Sequence, residues 1–241
     1  MPGYDTKQEC IAVDGTADLQ IRSLLDRQQF ADVAGEAAAL GISSATWPLF
    51  GLLWPSGRAL AAHMALRTLR PGDRILEIGC GLALASLVCH RRGADVTASD
   101  CHPLAEAFLR ENLRLNAMLP LHYRHGPWDG EPSPSGFALR DPVVGRFDLI
   151  IGSDVLYERD DGGHLPRFIE RHAQPGACVL IVDPDRSNRS AFNRRMLAMG
   201  FTLRESRLDR RAREGDAGYK GRLLCFERPR QAAAPDSAWP A

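Results

Sequence analysis

The chain has 241 residues, of which 44% are hydrophobic, enough for one α/β core with an N-terminal extension and a tail. Thirty Lys and Arg balance thirty Asp and Glu, and a net charge of zero excludes a broad electrostatic grip on nucleic acid or a membrane surface. No apolar run reaches the ~18 residues of a spanning helix, the opening MPGYDTKQEC lacks the basic-then-apolar pattern of a signal peptide, and six cysteines with no CxxC pair or Cys/His cluster of zinc spacing predict a reducing cytoplasm and no metal site.

Taken in chain order, residues 17–40 carry a helical rhythm, with Leu24, Leu25, Phe30 and Leu40 spaced among charges. Residues 1–45 are therefore predicted to form a helical extension. The segment 43–57, SSATWPLFGLLWPSG, is aromatic and proline-broken. Ser56 is the expected N-cap of a helix over 57–69, which Pro71-Gly72 ends. The main domain is predicted over 46–228, with a Pro/Ala-rich disordered tail over 229–241.

Residues 73–100, DRILEIGCGLALASLVCHRRGADVTASD, are the most informative stretch. A buried strand is predicted over 74–78, then a turn through Gly79-Cys80-Gly81, a helix over 82–92, and a second strand over 95–99 that ends on Asp100. This is one βαβ half of a nucleotide-binding fold. Glycines let the backbone approach a ligand closely, and the helix N-terminus offers free N–H groups. An acid at the end of the second strand accepts hydrogen bonds from ribose hydroxyls. The dinucleotide fingerprint asks for a third glycine where Leu84 stands, and Glu77 lies two residues before Gly79.

Beyond Asp100, Pro103 opens a helix that runs to about Asn116. A short strand over 121–124 and a loop over 126–146 follow. FDLIIGS, residues 147–153, reads as the clearest buried strand, and Asp154 follows it. A helix over 165–173, a strand over 178–182, and a helix over 188–199 closed by Gly200 come next. Strands over 201–205 and 223–226 form a terminal hairpin, and the basic run 204–213 reads as a solvated hairpin or loop, with a docking patch as the alternative. The expected fold is a doubly wound, Rossmann-like seven-stranded sheet with an antiparallel C-terminal strand. Ligands of such sheets sit at the carboxyl ends of the strands, where Glu77, Asp100, Ser153, Asp154 and Asp183 all fall.

The pattern Glu77-x-Gly79-x-Gly81-x-Ala83 resembles the S-adenosylmethionine (SAM) sites of class I methyltransferases. SAM has no pyrophosphate, so the third glycine is dispensable. Trp54 with Gly57, Trp128-Asp129, and Asp154-Val155-Leu156-Tyr157 extend the likeness. Over about residues 47–227 the chain resembles the seven-β-strand protein-lysine methyltransferases, the group acting on calmodulin, valosin-containing protein and the electron-transfer-flavoprotein β-subunit. The resemblance implies that Trp54 lines the SAM pocket and that Gly79, Cys80 and Gly81 wrap the methionine portion. It implies that Asp100 binds the ribose, Trp128 meets the adenine and Ser153 floors the pocket. Glu77 would act through charge and loop hydrogen bonds, Asp154 would hold the incoming amine, and Tyr157 would wall its channel. Asn112 and Asn116 also fit the family pattern and are expected to hold a helix end.

Taken singly, these residues also have structural readings: a core tryptophan, an aspartate cap, a packing tyrosine. The partner implied is a protein lysine. A small-molecule amine, with residues 1–45 as a lid, is the alternative. A non-catalytic SAM-fold module is opposed by the intact Gly79, Gly81, Asp100 and Asp154, and a dehydrogenase by Leu84. Ser99 and Ser153 lack the Gly-x-Ser-x-Gly elbow of hydrolases. His63, His122, His125 and His164 form no nucleophile or metal pattern.

Overall fold

The computed structural model describes residues 3–129, 141–212 and 218–229. The tail beyond residue 229 and much of the loop expected over 126–146 lie outside them.

Apolar runs flanked by turns become the central strands. β3 (Arg74–Ile78), β4 (Asp95–Asp100), β5 (His122–His125), β6 (Phe147–Ser153) and β7 (Ala173–Asp183) run parallel, and β8 (Thr202–Arg207) and β9 (Arg222–Glu227) complete a sheet of seven. The order is β5-β4-β3-β6-β7-β9-β8, with β9 antiparallel to both of its neighbours. Chain progression reverses between β3 and β6, so a crevice opens at their carboxyl ends.

α2 (Pro55–Leu66), α3 (Leu84–Arg91) and α4 (Ala105–Leu115) cover one face, and α5 (His164–His172) and α6 (Arg189–Ala198) the other. β6 is buried by both layers: Ile150 packs with α5 and α6, and Leu149 and Ile151 pack with α2. That two-sided burial explains its unbroken apolar sequence.

The N-terminal expectation is overturned. Residues 6–24 form an antiparallel hairpin, β1 (Thr6–Ile11) and β2 (Leu19–Leu24), and only α1 (Glu36–Ala39) is helical in this region. Leu19, Ile21 and Leu24 are fully buried, while Gln20 and Arg22 are half-buried. Over the first part of β2 this is the alternation of a strand with one buried face, and it overrides the looser helical spacing. Gly15, at φ +89°, makes the turn.

Asn112 and Asn116, one turn apart on α4, bind the free edge of β2. Their Oδ1 atoms accept the N–H of Arg22 at 2.8 Å and of Gln20 at 2.9 Å. Their Nδ2 groups donate to the carbonyls of the same two residues at 3.4 and 2.7 Å. Side-chain amides thus stand in for a neighbouring strand. α2 also differs from expectation: Trp54 occupies the N-cap, and Ser56 is buried within the first turn.

Candidate functional site

A cleft of ≈ 960 Å³ opens at the carboxyl ends of β3, β4 and β6, lined by Trp54, Glu77, Gly79, Cys80, Gly81, Asp100, Trp128, Ser153, Asp154 and Tyr157, whereas Asp183, also expected at the ligand end of the sheet, is not among its lining residues. Its inner end is the turn after β3. Gly79 and Gly81 have φ of +55° and +50°, left-handed values that favour glycine. A Cβ on Gly81 would stand 2.8 Å from the Phe50 carbonyl oxygen, and one on Gly79 3.0 Å from Val155 and 3.5 Å from Trp128. The turn therefore lies tight against its surroundings. Cys80 is buried, and its N–H donates to the Ser99 carbonyl at 2.9 Å.

Glu77 is 3% exposed, and its Oε2 accepts the backbone N–H of Ser86 at 2.7 Å and the Ser86 hydroxyl. Ser86 lies in the first turn of α3, whose N-cap, Ala83, is left-handed and gives no side-chain cap. The carboxylate of the strand thus caps the helix in its place. Burial raises the Glu77 pKa to about 7, against the pull of the two Ser86 hydrogen bonds.

Asp100 closes the inner end. Its Oδ2 accepts the Gly81 N–H and its Oδ1 the His102 N–H, both at 2.8 Å. Burial shifts its carboxyl upward, and those backbone bonds oppose the shift. Its carbonyl accepts from Gly126 N–H at 3.1 Å and from the Tyr123 hydroxyl at 3.1 Å, which ties the ends of β4 and β5 together.

The walls are aromatic. Trp54 Nε1–H donates to the Leu49 carbonyl at 2.9 Å, and the Arg27 guanidinium lies 4.9 Å from its ring centre. Trp128 lines the cleft beside Gly79 and packs against the cluster that contains Val155. Ser153, at the end of β6, faces α2, with its Oγ 3.6 Å from where a Gly57 Cβ would lie.

The outer end follows β6. Asp154 is left-handed at φ +55°, and its N–H donates to the Val182 carbonyl at 2.9 Å. Its carboxylate is held by both forks of Arg186, Nε to Oδ1 at 2.8 Å and Nη2 to Oδ2 at 3.0 Å. Tyr157 stands at the rim, 43% exposed. Burial and the nearby Glu158 push its phenol upward, so it stays protonated at neutral pH.

Arg186 was absent from the sequence reading, although Asp183-Pro184-Asp185-Arg186 follows the end of β7 and could have flagged the loop. Asp183 Oδ2 accepts the Arg186 N–H at 2.9 Å, and Asn188 Nδ2 donates to the Leu156 carbonyl at 3.0 Å. The loops after β6 and β7 are thereby braced together. Sequence reasoning also passed over His102, which lines the cleft and stacks on Phe50 with ring centres 3.7 Å apart.

A tight glycine turn, an acid held ready by two N–H groups, aromatic walls and several carboxylates suit a nucleoside-bearing cation such as SAM. The residues present fit that group.

Comparison with known proteins agrees. Residues 56–217 match the family model described as "Methyltransferase domain". The electron transfer flavoprotein beta subunit lysine methyltransferase of Xenopus laevis is 29% identical over 147 residues, covering 60% of this chain and 55% of that protein. Protein N-lysine methyltransferase METTL21A of Mus musculus is 28% identical over 170 residues, covering 70% of this chain and 73% of that protein. The solved glycopeptide N-methyltransferase MtfA, complexed with sinefungin, superposes with a TM-score of 0.53 at 16% identity, covering 73% of this chain and 95% of that one. This chain thus spans little more than half of the Xenopus relative.

Proposed function

From a chain that belongs to the methyltransferase-domain family, we propose a SAM-dependent N-methyltransferase whose acceptor is a lysine side chain of a protein. The observation that carries this reading is the continuity of one cleft, from the glycine turn and Asp100 at its inner end to Asp154 and Tyr157 at its rim. The names of the relatives support lysine as acceptor, and the half-exposed Tyr157 suits a channel entered from outside.

Bound SAM supplies a methyl group on a sulfonium, a leaving group that needs no further activation. The protein's work is to place the acceptor and exclude water. Gly79, Cys80 and Gly81 wrap the methionine portion, Asp100 takes the ribose hydroxyls, Trp128 meets the adenine, and Trp54 and Ser153 bound the pocket. Glu77 stabilises the turn through Ser86, and a cationic ligand above it would favour its ionised form.

A lysine amine must be neutral to react, and with a pKa near 10.4 only about one in 2,500 is neutral at pH 7. A lone carboxylate beside it would raise that pKa further. Asp154 is not alone, because Arg186 compensates its charge. We therefore assign Asp154 to orienting the amine and Arg186 to limiting the penalty on deprotonation, with the proton leaving to water. Tyr157, protonated, walls the channel.

One observation favours a small-molecule amine instead. Arg27, Leu40, Ile42 and Thr46 line the cleft, as a lid over an enclosed ligand would. Incubating the pure protein with radiolabelled SAM and a cell lysate separates the two. Label on lysine in a protein band is expected. Label confined to the small-molecule fraction would overturn the protein-lysine reading and leave methyl transfer standing. The cysteine pattern further supports a reducing, cytoplasmic setting.

A further inference from the structure

Away from the cleft, β7 and β9 bring two thiols together. Leu180 lies opposite Cys225, so Cys178, two residues earlier, projects from the same face of the sheet. Their sulfurs are 3.7 Å apart, and both residues are half-buried. We infer that Cys178 and Cys225 form a two-thiol modification site, at which a hydroperoxide oxidises Cys225 and Cys178 closes a disulfide.

The surroundings divide the labour between the two sulfurs. Arg204 lies directly opposite Cys225 on β8, with its guanidinium paired to Glu227 at 2.7 Å. The hydrogen bond from Cys178 draws the Cys225 thiol below its ordinary value, and the Arg204 charge adds to this against burial and the charge of Glu227. Cys178 is shifted the other way, first by its hydrogen bond to Cys225 and then by burial, despite Arg67 Nη2 at 3.7 Å. The two opposite shifts favour the shared proton on Cys178. A thiolate beside a cation and a second thiol is the arrangement of a peroxide-reactive cysteine with its resolving partner.

The Cys225 thiolate attacks a peroxide oxygen. The O–O bond breaks, Cys225 becomes a sulfenic acid, and hydroxide or alkoxide leaves. The Cys178 sulfur then attacks the Cys225 sulfur, the S–O bond breaks, and the thiol proton leaves with the hydroxyl as water. Two electrons pass from the thiols to the peroxide. The sulfurs must approach by about 1.7 Å to reach the bonded distance.

The remaining cysteines serve as internal controls. Cys80 and Cys89 are buried, and their thiols are held upward by burial. Cys10 and Cys101 are exposed, and among the described residues neither sulfur is hydrogen-bonded to a second thiol.

The test treats the native full chain with hydrogen peroxide, blocks residual thiols and maps peptides by mass. The expected product is a cross-linked peptide pair joining Cys178 to Cys225, lighter by two hydrogens, formed about tenfold faster than oxidation at Cys10 or Cys101. In Cys178→Ser, dimedone should trap the sulfenic acid at Cys225. Cross-link formation in the wild-type chain needs no substitution to be informative. Recovery of Cys178 and Cys225 as thiols while Cys10 or Cys101 oxidises would overturn the proposal. So would sulfinic acid at Cys225 without any cross-link.

Discussion

The Asp100 carboxylate already accepts N–H groups from Gly81 and His102, and each oxygen keeps a lone pair for a ligand hydroxyl. Bonds to a charged acceptor contribute about 1.5–3 kcal/mol each. Asp100→Ala is therefore expected to weaken SAM binding at least ~10-fold by calorimetry, with some loss of thermal stability because two loops lose their tie. Unchanged affinity would place the ribose elsewhere. At the rim, Asp154→Asn should leave SAM affinity nearly constant and lower turnover on the order of 100-fold; Tyr157→Phe should cost less. Arg186→Gln has a distinct signature. It leaves Asp154 uncompensated, which favours the ammonium form of the acceptor. The rise of turnover with pH should then move to higher pH, and Arg186→Lys should restore part of the shift. A drop of equal size at every pH would reduce Arg186 to a purely structural contact. Glu77 makes a pH prediction of its own. Its folded pKa of about 7 lies above the reference 4.5, so the native state holds a proton that the unfolded chain has released. Stability from this group falls as pH rises between those values, by on the order of 3 kcal/mol. The melting temperature of Glu77→Gln relative to wild type should therefore climb from pH 5 to pH 7.5. A pH-independent difference would mean that Glu77 is ionised throughout.

Between elements, the asparagines of α4 and the edge of β2 show how a helix finishes a hairpin. A two-stranded hairpin is marginal by itself, and this one gains a third hydrogen-bonding partner along Gln20 and Arg22. Asn112 is fully buried, so Asn112→Ala removes both its bonds and its packing. An expected loss of about 1–3 kcal/mol follows from backbone groups left unpaired. Amide exchange at Gln20 and Arg22 should quicken, while SAM affinity holds. Exchange that stays slow at both positions would show that the hairpin is held by its apolar face alone. Elsewhere the loops after β6 and β7 depend on each other through Asp154–Arg186 and Asn188–Leu156. The rim of the cleft is thus built by two loops whose joined residues stand 32 apart in sequence.

Across the whole molecule, the first 45 residues share a core with the sheet. Ile11, Val13, Leu19, Ile21 and Leu24 pack in one cluster with Leu87 and Val88 of α3 and Phe108 and Leu109 of α4. Burying such side chains contributes about 1.5–3 kcal/mol each, together comparable with the ~5–15 kcal/mol net stability of a domain. A chain beginning at residue 47 is therefore expected to fail to fold, and limited proteolysis should not release residues 3–46 as a separable piece. A soluble, cooperatively melting truncation that binds SAM would show that the hairpin is an accessory.

The glycine turn, its flanking strands and the acids at strand ends were legible in the sequence because local rules fix them. Buried strands need unbroken apolar runs, and left-handed turns favour glycine. Those rules place Glu77, Gly79, Gly81, Asp100, Ser153 and Asp154 in register, and the cleft brings all six together. The terminal hairpin was legible for the same reason. The hairpin of residues 6–24 was not, because a short amphipathic stretch satisfies the periods of both helix and strand, and the choice came from α4, about 90 residues away. Arg186 was illegible too: nothing in a lone arginine after a strand announces which carboxylate it will grip. Only the tertiary fold decided that Asp154 is a paired charge, because long-range ion pairs depend on distances that close when the sheet assembles.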